Sequence, residues 1–327
     1  MLFRSEFLGL LAPTGFAQGP GQAVATGTQW ESEFGIDLAA NFGLIYASIG
    51  FFASFLVGVP AARWAIRRGL NTNLLARLDE VYLRGVHLRD QRPSMGQHVT
   101  HSANIDSLAY HLGLLGVAYL LTDQYLRLMQ PLTADLAPGG IPIGLIFTHN
   151  YFFMHGMLVC LAMRALLDRL GYGHVIDRDT QKRITGTAVD CMLIGSILSV
   201  QFGLLSEFLV PILLIAGGAV AATAGLCFLF SRSLSRLQPE RAIALFGVGV
   251  GTTGSGFLLL RMLDPNLSTP VAMELAFFAI ALTFAGTHLL YVMVPVLPSF
   301  SIGTIVAVYG VHMVLGAALW WWLARRA

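Results

Sequence analysis

The residues best suited to binding chemistry form a cluster of glycines and hydroxyl groups inside an apolar stretch. Residues 242–262 read AIALFGVGVGTTGSGFLLLRM, in which five glycines surround Thr252, Thr253 and Ser255. Glycine tolerates the open or left-handed backbone that interrupts a helix. In an apolar environment an interrupted helix exposes N–H and C=O groups that need partners, and these suit a carboxylate and Na⁺ respectively. The cluster is therefore a candidate ligand site.

A second interrupted segment lies near the start of the chain. Residues 7–30 contain an apolar arm, a break at Gly19, Pro20 and Gly21, and a short second arm that begins at Gln22. We expect both breaks to line one cavity. The predicted substrate-binding residues are Gly21, Gln22, Ala23, Thr26, Thr28, Gly251, Thr252, Thr253, Gly254 and Ser255. Gly19 and Gly249 are candidate Na⁺ ligands through their carbonyl groups. The alternative is close helix packing through small residues, for example Gly247 with Gly251.

Asp190 is the carboxylate that the sequence places inside an apolar helix. It follows Arg183 by seven residues, which puts it about 10 Å into that helix at 1.5 Å per residue. A carboxylate at this depth costs several kcal/mol (~3) unless it is paired or binds a cation. It is a candidate Na⁺ ligand, a proton site or a partner for Arg261, and Thr187 and Gln201 share its helical face. An interfacial aspartate that reaches the cytoplasm is the alternative.

Other polar residues within apolar segments receive weaker assignments. Arg261 could bind a substrate carboxylate, but a surface ion pair with Asp264 is favoured. Asn41 and Ser48 are seven residues apart on one predicted helix, share a face and could complete a polar pocket. The histidines lack metal-ligand spacing on a shared face, so we expect them to form hydrogen bonds between helices; they are His149, His155, His288 and His312.

The composition indicates the environment in which these residues act. The 327 residues are 55% hydrophobic and only 12% charged, with a mean hydropathy of +0.68, which is typical of a membrane protein. The net charge of +2 and the scattered basic residues argue against a nucleic-acid partner. Three cysteines lie in apolar runs without CxxC or Cys/His spacing, which supports neither a disulfide framework nor a zinc site. We expect no cofactor and no enzymatic activity.

Seven segments are long and apolar enough to cross a hydrocarbon core, which takes about 20 residues of helix. They are residues 36–62, 107–128, 141–167, 184–205, 208–230, 271–293 and 302–323. Basic residues accumulate in alternate connections: seven arginines lie in 63–92, five Arg or Lys in 164–183 and three arginines in 232–241. Because cytoplasmic loops carry the basic excess, these loops and the C-terminus are expected to face the cytoplasm.

This topology leaves no room for residues 242–262 to cross the membrane. The loop before them is cytoplasmic, and the helix 271–293 must also begin in the cytoplasm, so the segment must enter and return on one side. By the same argument residues 7–30 form a re-entrant hairpin from the opposite face. Two interrupted segments that enter from opposite sides, each followed by a spanning helix, are typical of an inverted-repeat transporter.

The predicted fold is therefore an all-α membrane protein, a polytopic bundle with inverted repeats and two re-entrant hairpins. Four spanning helices precede the second hairpin and none precedes the first, so we expect the first repeat to be shortened at its N-terminus. The predicted divisions are a partial first repeat, 1–68, a cytoplasmic linker, 69–104, and a second repeat, 105–327. Within the linker, the leucine spacing in 74–88 is compatible with an interfacial helix or with a solvated connector.

Several stretches resemble the bacterial sodium/glutamate symporters, in the glutamate symporter-like branch of that family. RAIALFGVGVGTTGSGFLLLRMLDPNLSTPVAMEL (241–275) is similar to the re-entrant segment of the family's second repeat. ATGTQWESEFGI (25–36) and NFGLIYASIGFFASFLVGVPAARWAIRRGL (41–70) resemble the first re-entrant loop and the helix after it. RITGTAVDCMLIGSI (183–197) resembles the helix that carries the family's aspartate.

The resemblance implies two inverted five-helix repeats in the bacterial inner membrane and Na⁺-coupled transport of L-glutamate. It implies site roles for Gly19, Gly21, Gly251, Thr252, Thr253, Gly254 and Asp190. The partners so implied are Na⁺, an acidic amino acid and the lipid bilayer, with a homodimer left open. Two rivals remain: a cation/proton antiporter that uses Asp190, and a membrane scaffold or truncated pseudotransporter that transports nothing.

Overall fold

The computed structural model describes residues 2–72, 89, 97–101, 103–137, 143–198, 203, 206, 208–234, 236–265, 267 and 269–324. These residues are predominantly helical and contain no strand, as the sequence predicts. The α-helices in chain order are α1 (Ala12–Gly15), α2 (Pro20–Phe34), α3 (Ala39–Arg67), α4 (Ser107–Thr133), α5 (Phe152–Arg169), α6 (Arg178–Leu198), α7 (Leu209–Arg232), α8 (Gln238–Val250), α9 (Thr253–Leu263), α10 (Val271–Thr287), α11 (Val294–Val296) and α12 (Ile302–Ala324).

Shorter helical segments connect these elements. Five of them form 3-10 turns, at Leu2–Leu11, Ile143–Phe147, His149–Tyr151, Gly173–Val175 and Leu297–Ser299, and His288–Met293 continues α10 as a π-helix. The chain forms two compact units. The first unit combines Met1–Leu83 with Ser199–Ala327, and the second is Arg84–Leu198.

Four helices in the described part of the chain are long and apolar enough to span a membrane. They are Ala39–Arg67, His149–Arg169, Leu209–Arg232 and Ile302–Trp322. The last two bury only 11% and 6% of their most apolar windows inside the protein, so their apolar side chains face outward, as lipid contact requires. These features are those of a membrane protein.

The four spanning candidates correspond to the first, third, fifth and seventh of the predicted segments. The segment predicted at 107–128 is helical as α4 but is not one of the four, because His111, Asp123 and Gln124 lower its hydropathy. Helix α5 begins later than predicted, since 3-10 turns occupy Ile143–Tyr151. Helix α6 begins earlier than predicted, at Arg178. Two predictions lie outside the described residues: Gln201 on the face of Asp190 and the interfacial helix at 74–88.

Helix α3 is the central element of the first unit, and half of its most apolar window is buried. Its glycines permit close approach by other elements. A methyl group on Gly43 would lie 2.8 Å from the Ala23 carbonyl oxygen, and one on Gly50 would collide with the Val250 carbonyl oxygen. One on Gly58 would lie 2.5 Å from a Leu259 methyl group. These contacts place different partners along the length of α3.

The N-terminal half of α3 packs against the first broken pair, by which we mean Leu2–Gly15 and α2, joined at Phe16–Gly19. Gly27 of α2 lies against Ala40, and Ala23 lies against Gly43, so α2 and α3 run antiparallel. Gly15 of α1 contacts Gly43 and Ala47. The Trp30 side chain is fully buried, and its Nε1–H donates to the Val294 carbonyl oxygen at 3.1 Å.

The C-terminal half of α3 packs against the second broken pair, α8 and α9, joined at Gly251–Thr252. Gly247 of α8 faces Gly256 of α9, and Gly256 also contacts Ala244 and Val248, so the two helices return antiparallel on each other. Their outer ends form an apolar cluster with α3, made of Ala62, Ala65, Ile243, Leu259, Met262 and Leu263. Both ends of this pair therefore lie near the C-terminal end of α3.

The second unit contains α4, α5 and α6. His149 Nε2 lies 3.0 Å from Asp123 Oδ1 and connects the start of the α5 segment to α4. Asp177 accepts the backbone N–H and the hydroxyl of Thr180 at 2.8 and 2.6 Å, in the first turn of α6. These hydrogen bonds hold the pKa of the Asp177 carboxyl below its ordinary value. The two compact units do not test whether the chain contains the predicted inverted repeats. The predicted division into a first repeat, 1–68, a linker, 69–104, and a second repeat, 105–327, therefore stays a prediction.

The close approach of α2 to α3 predicts a cost for Gly27→Ala. The new methyl group would collide with the backbone of Ala40, which can move only by separating the two helices. We expect a loss of about 1–3 kcal/mol of stability, as for other overpacked sites. Thermal unfolding of the purified protein in detergent measures it. The control is Gly217→Ala in α7, where no described residue comes within 4 Å of the added methyl group and alanine favours the helix. Equal Tm values for the two variants would contradict the packing described.

Candidate functional site

The two helix breaks contact each other. The backbone N–H of Ala17, in the first break, donates to the carbonyl oxygen of Gly249 at 3.3 Å. A methyl group on Gly19 would lie 3.0 Å from Thr252 Cγ2. We call Phe16–Gly19 the first tip and Gly249–Thr252 the second tip. The two interrupted segments therefore meet, whereas the single cavity that they are expected to line stays a prediction.

The tips meet beside the middle of α3. Gly50 contacts both the Phe16 ring and the Val250 carbonyl group, and it follows Ala39 by 11 residues in a helix of 29. At 1.5 Å per residue, Gly50 is about 16 Å from one end of α3 and about 26 Å from the other. No side chain at position 50 could be larger than hydrogen without separating the second tip from α3.

Helices α2 and α9 both begin at this contact. Gly19 precedes α2 with φ +82° and ψ −177°, a conformation that glycine adopts readily and other residues rarely. No side chain caps α2, and among the described residues no backbone carbonyl accepts from the N–H groups of Gly21 and Gln22. At α9, the Thr252 hydroxyl accepts from the Ser255 N–H at 3.4 Å. The N–H groups of Thr253 and Gly254 have no acceptor among the described residues. Two positive helix ends therefore lie side by side.

Helix α8 ends at the same place and contributes carbonyl groups. The carbonyl of Gly249 accepts the Ala17 N–H, and that of Val250 lies against Gly50. The C-terminus of a helix carries partial negative charge on its last carbonyl oxygens. The junction of the tips thus combines groups that attract an anion with groups that attract a cation.

Buried side-chain atoms without partners occur on the residues that form or adjoin the tips. In the described part of the chain, the following atoms are inaccessible to solvent and make no hydrogen bond: Gln18 Oε1, Gln22 Nε2, Ser48 Oγ and Ser255 Oγ. Ser48 lies two residues before Gly50. A buried polar atom without a partner costs about 1–3 kcal/mol. Such a cluster is expected where a ligand supplies the missing hydrogen bonds.

Some predicted site residues lie away from the tips. Thr28 is exposed in the second half of α2, and the fully buried Thr26 is one turn beyond Gln22. Asn41 lies in the first turn of α3, nine residues before Gly50, so about 13 Å of helix separates it from the tips. Residue spacing placed Asn41 and Ser48 on one face, but only Ser48 lies near Gly50 along the helix.

Arg261 and Asp264 both belong to the described residues and do not form the favoured ion pair with each other. Asp264 is fully buried and its Oδ2 accepts the Thr269 N–H at 2.7 Å, whereas Arg261 is exposed in the last turn of α9. The pairing was wrong because Asp264 follows the end of the helix, where its carboxylate turns to the next backbone segment. Arg261 lies at the outer end of the second broken pair, away from the tips.

Asp190 and Thr187 are exposed on α6 in the second unit. The tips belong to the first unit. The participation of Asp190 and Thr187 in the site therefore stays a prediction. Gly19 and Gly249, the other candidate Na⁺ ligands, both lie at the tips.

The packing alternative holds for some of the glycines. Gly247 packs on Gly256 and Leu259 rather than on Gly251, and a methyl group on Gly249 would lie 2.8 Å from Thr223 of α7. A methyl group on Gly251, in contrast, would lie nearest to the Ser255 side chain and to Gly247 O, which belong to the same broken pair. Glycines inside α8 therefore serve packing, while Gly19 and Gly251 form the breaks.

Histidines form hydrogen bonds between helical segments, as expected. His288 Nε2 lies 2.8 Å from His312 Nε2, and His149 contacts Asp123. Among the described residues no group of three or more His, Cys, Asp or Glu side chains is placed to hold a metal ion.

Sequence reasoning missed five residues of the junction: Phe16, Ala17, Gln18, Gly50 and Val250. Ala17 acts through its backbone, which residue type does not reveal, and Gly50 resembles other small residues of an apolar helix. Gln18, a polar residue immediately before the break at Gly19, could have been found on the argument that selected Gln22.

Comparisons of the chain with known protein families, with curated proteins and with solved structures found no match.

The backbone of Gly19 predicts a second stability difference. Gly19→Ala places a methyl group both in an unfavourable backbone conformation and 3.0 Å from Thr252 Cγ2. We expect it to lower stability by about 1–3 kcal/mol. Gly35→Ala is the matched control, because Gly35 also has positive φ, +61°, but its added methyl group would have no neighbour within 4 Å in the described part of the chain. The Tm from thermal unfolding should be lower for Gly19→Ala than for Gly35→Ala. The reverse order would contradict the described contact between the first tip and the second.

Proposed function

We propose that this chain is a secondary active transporter that couples Na⁺ to the symport of L-glutamate or a related acidic amino acid by alternating access. One observation carries the proposal: two helix breaks on different segments touch each other beside the middle of an apolar, spanning-length helix. An interrupted helix at membrane depth is tolerated where protein, water or ligand supplies hydrogen bonds. Substrate sites at such breaks are characteristic of inverted-repeat transporters.

The substrate carboxylate binds at the adjacent N-termini of α2 and α9. Free N–H groups of Gly21, Gln22, Thr253 and Gly254 carry partial positive charge there, and Gln22 Nε2 is a further buried donor without a partner. Donors of this type suit an anion without the desolvation cost of a buried lysine or arginine. This chemistry supports a carboxylate more strongly than a cationic or purely apolar substrate.

Sodium binds at oxygen atoms of the same junction. The carbonyl groups at the end of α8, with Ser255 Oγ, Ser48 Oγ and Gln18 Oε1, offer neutral oxygen ligands of the hard type that alkali cations prefer. Asp190 of α6, in the second unit, is proposed separately as a residue on whose carboxylate Na⁺ coupling depends. A carboxylate in an apolar helix is a functional residue by default.

Alternating access follows from the position of the broken pairs on α3. The first pair covers the N-terminal half of α3 and the second covers the C-terminal half, so each forms a barrier on one side of the junction. A substrate reaches the junction only when one tip moves away, and the Ala17–Gly249 hydrogen bond breaks. We assign the chain to an inner membrane, with the broken pairs as re-entrant hairpins of inverted repeats and the C-terminus in the cytoplasm.

Uptake by proteoliposomes tests the proposed function. Wild-type protein should take up radiolabelled glutamate only with an inward Na⁺ gradient. Thr252→Val removes the hydroxyl that organises the start of α9, and the loss of one buried polar contact, about 1–3 kcal/mol, should weaken substrate affinity about tenfold. Thr252→Ser should retain uptake, because it keeps the hydroxyl. Asp190→Asn should raise the Na⁺ concentration needed for half-maximal uptake.

Matched controls separate the site from general damage. Thr304→Val removes an exposed hydroxyl near the start of α12, and Asp179→Asn removes an exposed carboxylate that pairs with Lys182, so both should transport normally. Unchanged uptake in Thr252→Val and Asp190→Asn would refute the site assignment. Na⁺-independent proton exchange without glutamate uptake would favour the antiporter, and no transport of either kind would favour the scaffold.

Cysteine labelling tests the re-entrant topology. In a background without Cys160, Cys191 and Cys227, Gln238→Cys and Pro265→Cys introduce thiols at the two exposed ends of the second broken pair. An impermeant maleimide should reach both thiols from the same side of the membrane, because α8 and α9 return on each other. Labelling of the two positions from opposite sides would mean that residues 242–262 cross the bilayer.

A further inference from the structure

A cavity of about 520 Å³ lies in the first unit at the C-terminal ends of α3 and α7. Its volume is within the range of sites that bind small molecules, about 300–1,000 Å³. Its walls are mostly apolar and come from three helices. They include Ala61 and Ala65 of α3, Ala224 and Phe228 of α7, and Ile243 of α8.

One side of this cavity carries positive charge. Arg232 and Arg236 line it, and within the described residues neither guanidinium has a hydrogen bond or an ion pair. Helix α8, 13 residues long, begins at the same place with Gln238 and Pro239 in the lining. Leu237, the residue before this helix, supplies no capping side chain, so the N-terminus of α8 adds partial positive charge. The preceding residue, Leu237, is held at φ +55°, which is unusual for a non-glycine residue.

A buried hydroxyl in the lining indicates a missing ligand. Ser231 is 1% exposed, and its Oγ makes no hydrogen bond among the residues that the structure describes. Glu240, in the first turn of α8, is not part of the lining, and one of its carboxylate oxygens accepts the Thr72 N–H. The cavity therefore presents basic groups and an unpaired hydroxyl without a lining carboxylate.

The position of the cavity corresponds to a membrane surface. Helices α3, α7 and α12 are all spanning candidates, and aromatic and basic side chains gather where they end. Trp64 lines the cavity and stacks with Arg68, whose guanidinium carbon lies 5.5 Å from the ring centroid. Trp320 of α12 donates from Nε1 to Ser233 Oγ at 3.3 Å. Tryptophan and basic residues concentrate at membrane–water interfaces, and basic residues on the cytoplasmic side.

We propose that this cavity binds an anionic glycerophospholipid of the cytoplasmic leaflet. The phosphate lies between Arg232, Arg236 and the N-terminus of α8, within reach of the Ser231 hydroxyl. The acyl chain lies along the alanines of α3 and Phe228 of α7. Guanidinium groups bind phosphate with strong, charge-assisted hydrogen bonds. Basic pockets between membrane helices on the cytoplasmic side recognise such headgroups.

The combination of surfaces favours a lipid over a free anion. Inorganic phosphate would satisfy the arginines but leave the apolar walls, which make up most of the lining, in contact with water. An acyl chain covers these walls, and the membrane supplies it at the depth where α3 and α7 end. The site is remote from the tips, because the cavity adjoins the outer end of α8.

Thermal unfolding of the full chain in neutral detergent, with defined lipid added, tests the proposal. Phosphatidylglycerol should raise the Tm of the wild-type protein, because a ligand that binds only the folded state stabilises it. Phosphatidylcholine with the same acyl chains and inorganic phosphate should not raise it. Native mass spectrometry should detect retained phosphatidylglycerol on the same protein.

Two variants and a matched control make the test specific. Arg232→Gln with Arg236→Gln should abolish the shift, and Ala224→Leu, which fills the apolar end and keeps both charges, should reduce it strongly. Arg63→Gln with Arg67→Gln removes two exposed charges from the same end of α3 without touching the lining, so it should respond as wild type does. Each variant is compared with its own Tm without lipid, so a loss of intrinsic stability does not imitate a loss of binding.

Three outcomes would overturn the proposal. Equal stabilisation by phosphatidylcholine would show that the headgroup charge is not recognised. Stabilisation by inorganic phosphate would identify a free-anion site, and Ala224→Leu would then respond normally to lipid. Loss of the shift in Arg63→Gln with Arg67→Gln as well would indicate general electrostatic adsorption rather than this cavity.

Discussion

The first unit depends on one constraint: backbone groups released by a broken helix must find partners where water is excluded. The structure meets this constraint by bringing two breaks together, so that the Ala17 N–H donates to the Gly249 carbonyl. This contact is possible only because Gly50 lets the second tip lie directly on α3. The remaining free N–H groups at the starts of α2 and α9 are then concentrated in one place, where the same constraint creates affinity for an anion.

Glycine has two different roles in this arrangement. Gly27, Gly43, Gly247 and Gly256 allow helices to approach closely, which stabilises the scaffold through packing. Gly19 instead has a backbone conformation that other residues rarely adopt, and it sets the direction of α2 away from the first tip. In the proposed transport cycle, the packing contacts would persist while the Ala17–Gly249 hydrogen bond is exchanged for a ligand.

The proposed lipid site and the proposed transport site use related chemistry at different depths. Both combine an uncapped helix N-terminus with buried polar atoms that lack partners. Near the middle of α3 the donors are backbone and amide groups, since a guanidinium would be costly to bury without a partner. At the end of α3 the arginines can be accommodated, because their charged groups reach water and headgroups. An anionic lipid there would connect α3, α7 and α8, which are the elements that position the second tip.

The sequence alone determined the helical fold, four of the seven predicted spans and the location of both breaks, because these depend on local composition, glycine placement and hydrophobic length. It also anticipated the histidine contacts between helices. It could not determine that Asn41 and Thr28 lie away from the tips, that Asp264 binds Thr269 instead of Arg261, or that Gly247 faces Gly256. The Asp264 contact is set by the position of that residue after the end of α9, whereas the other outcomes depend on how α2, α8 and α9 pack along α3. Helical spacing fixes which residues share a face, whereas the height at which two helices meet is decided only by tertiary contacts between residues far apart in the chain.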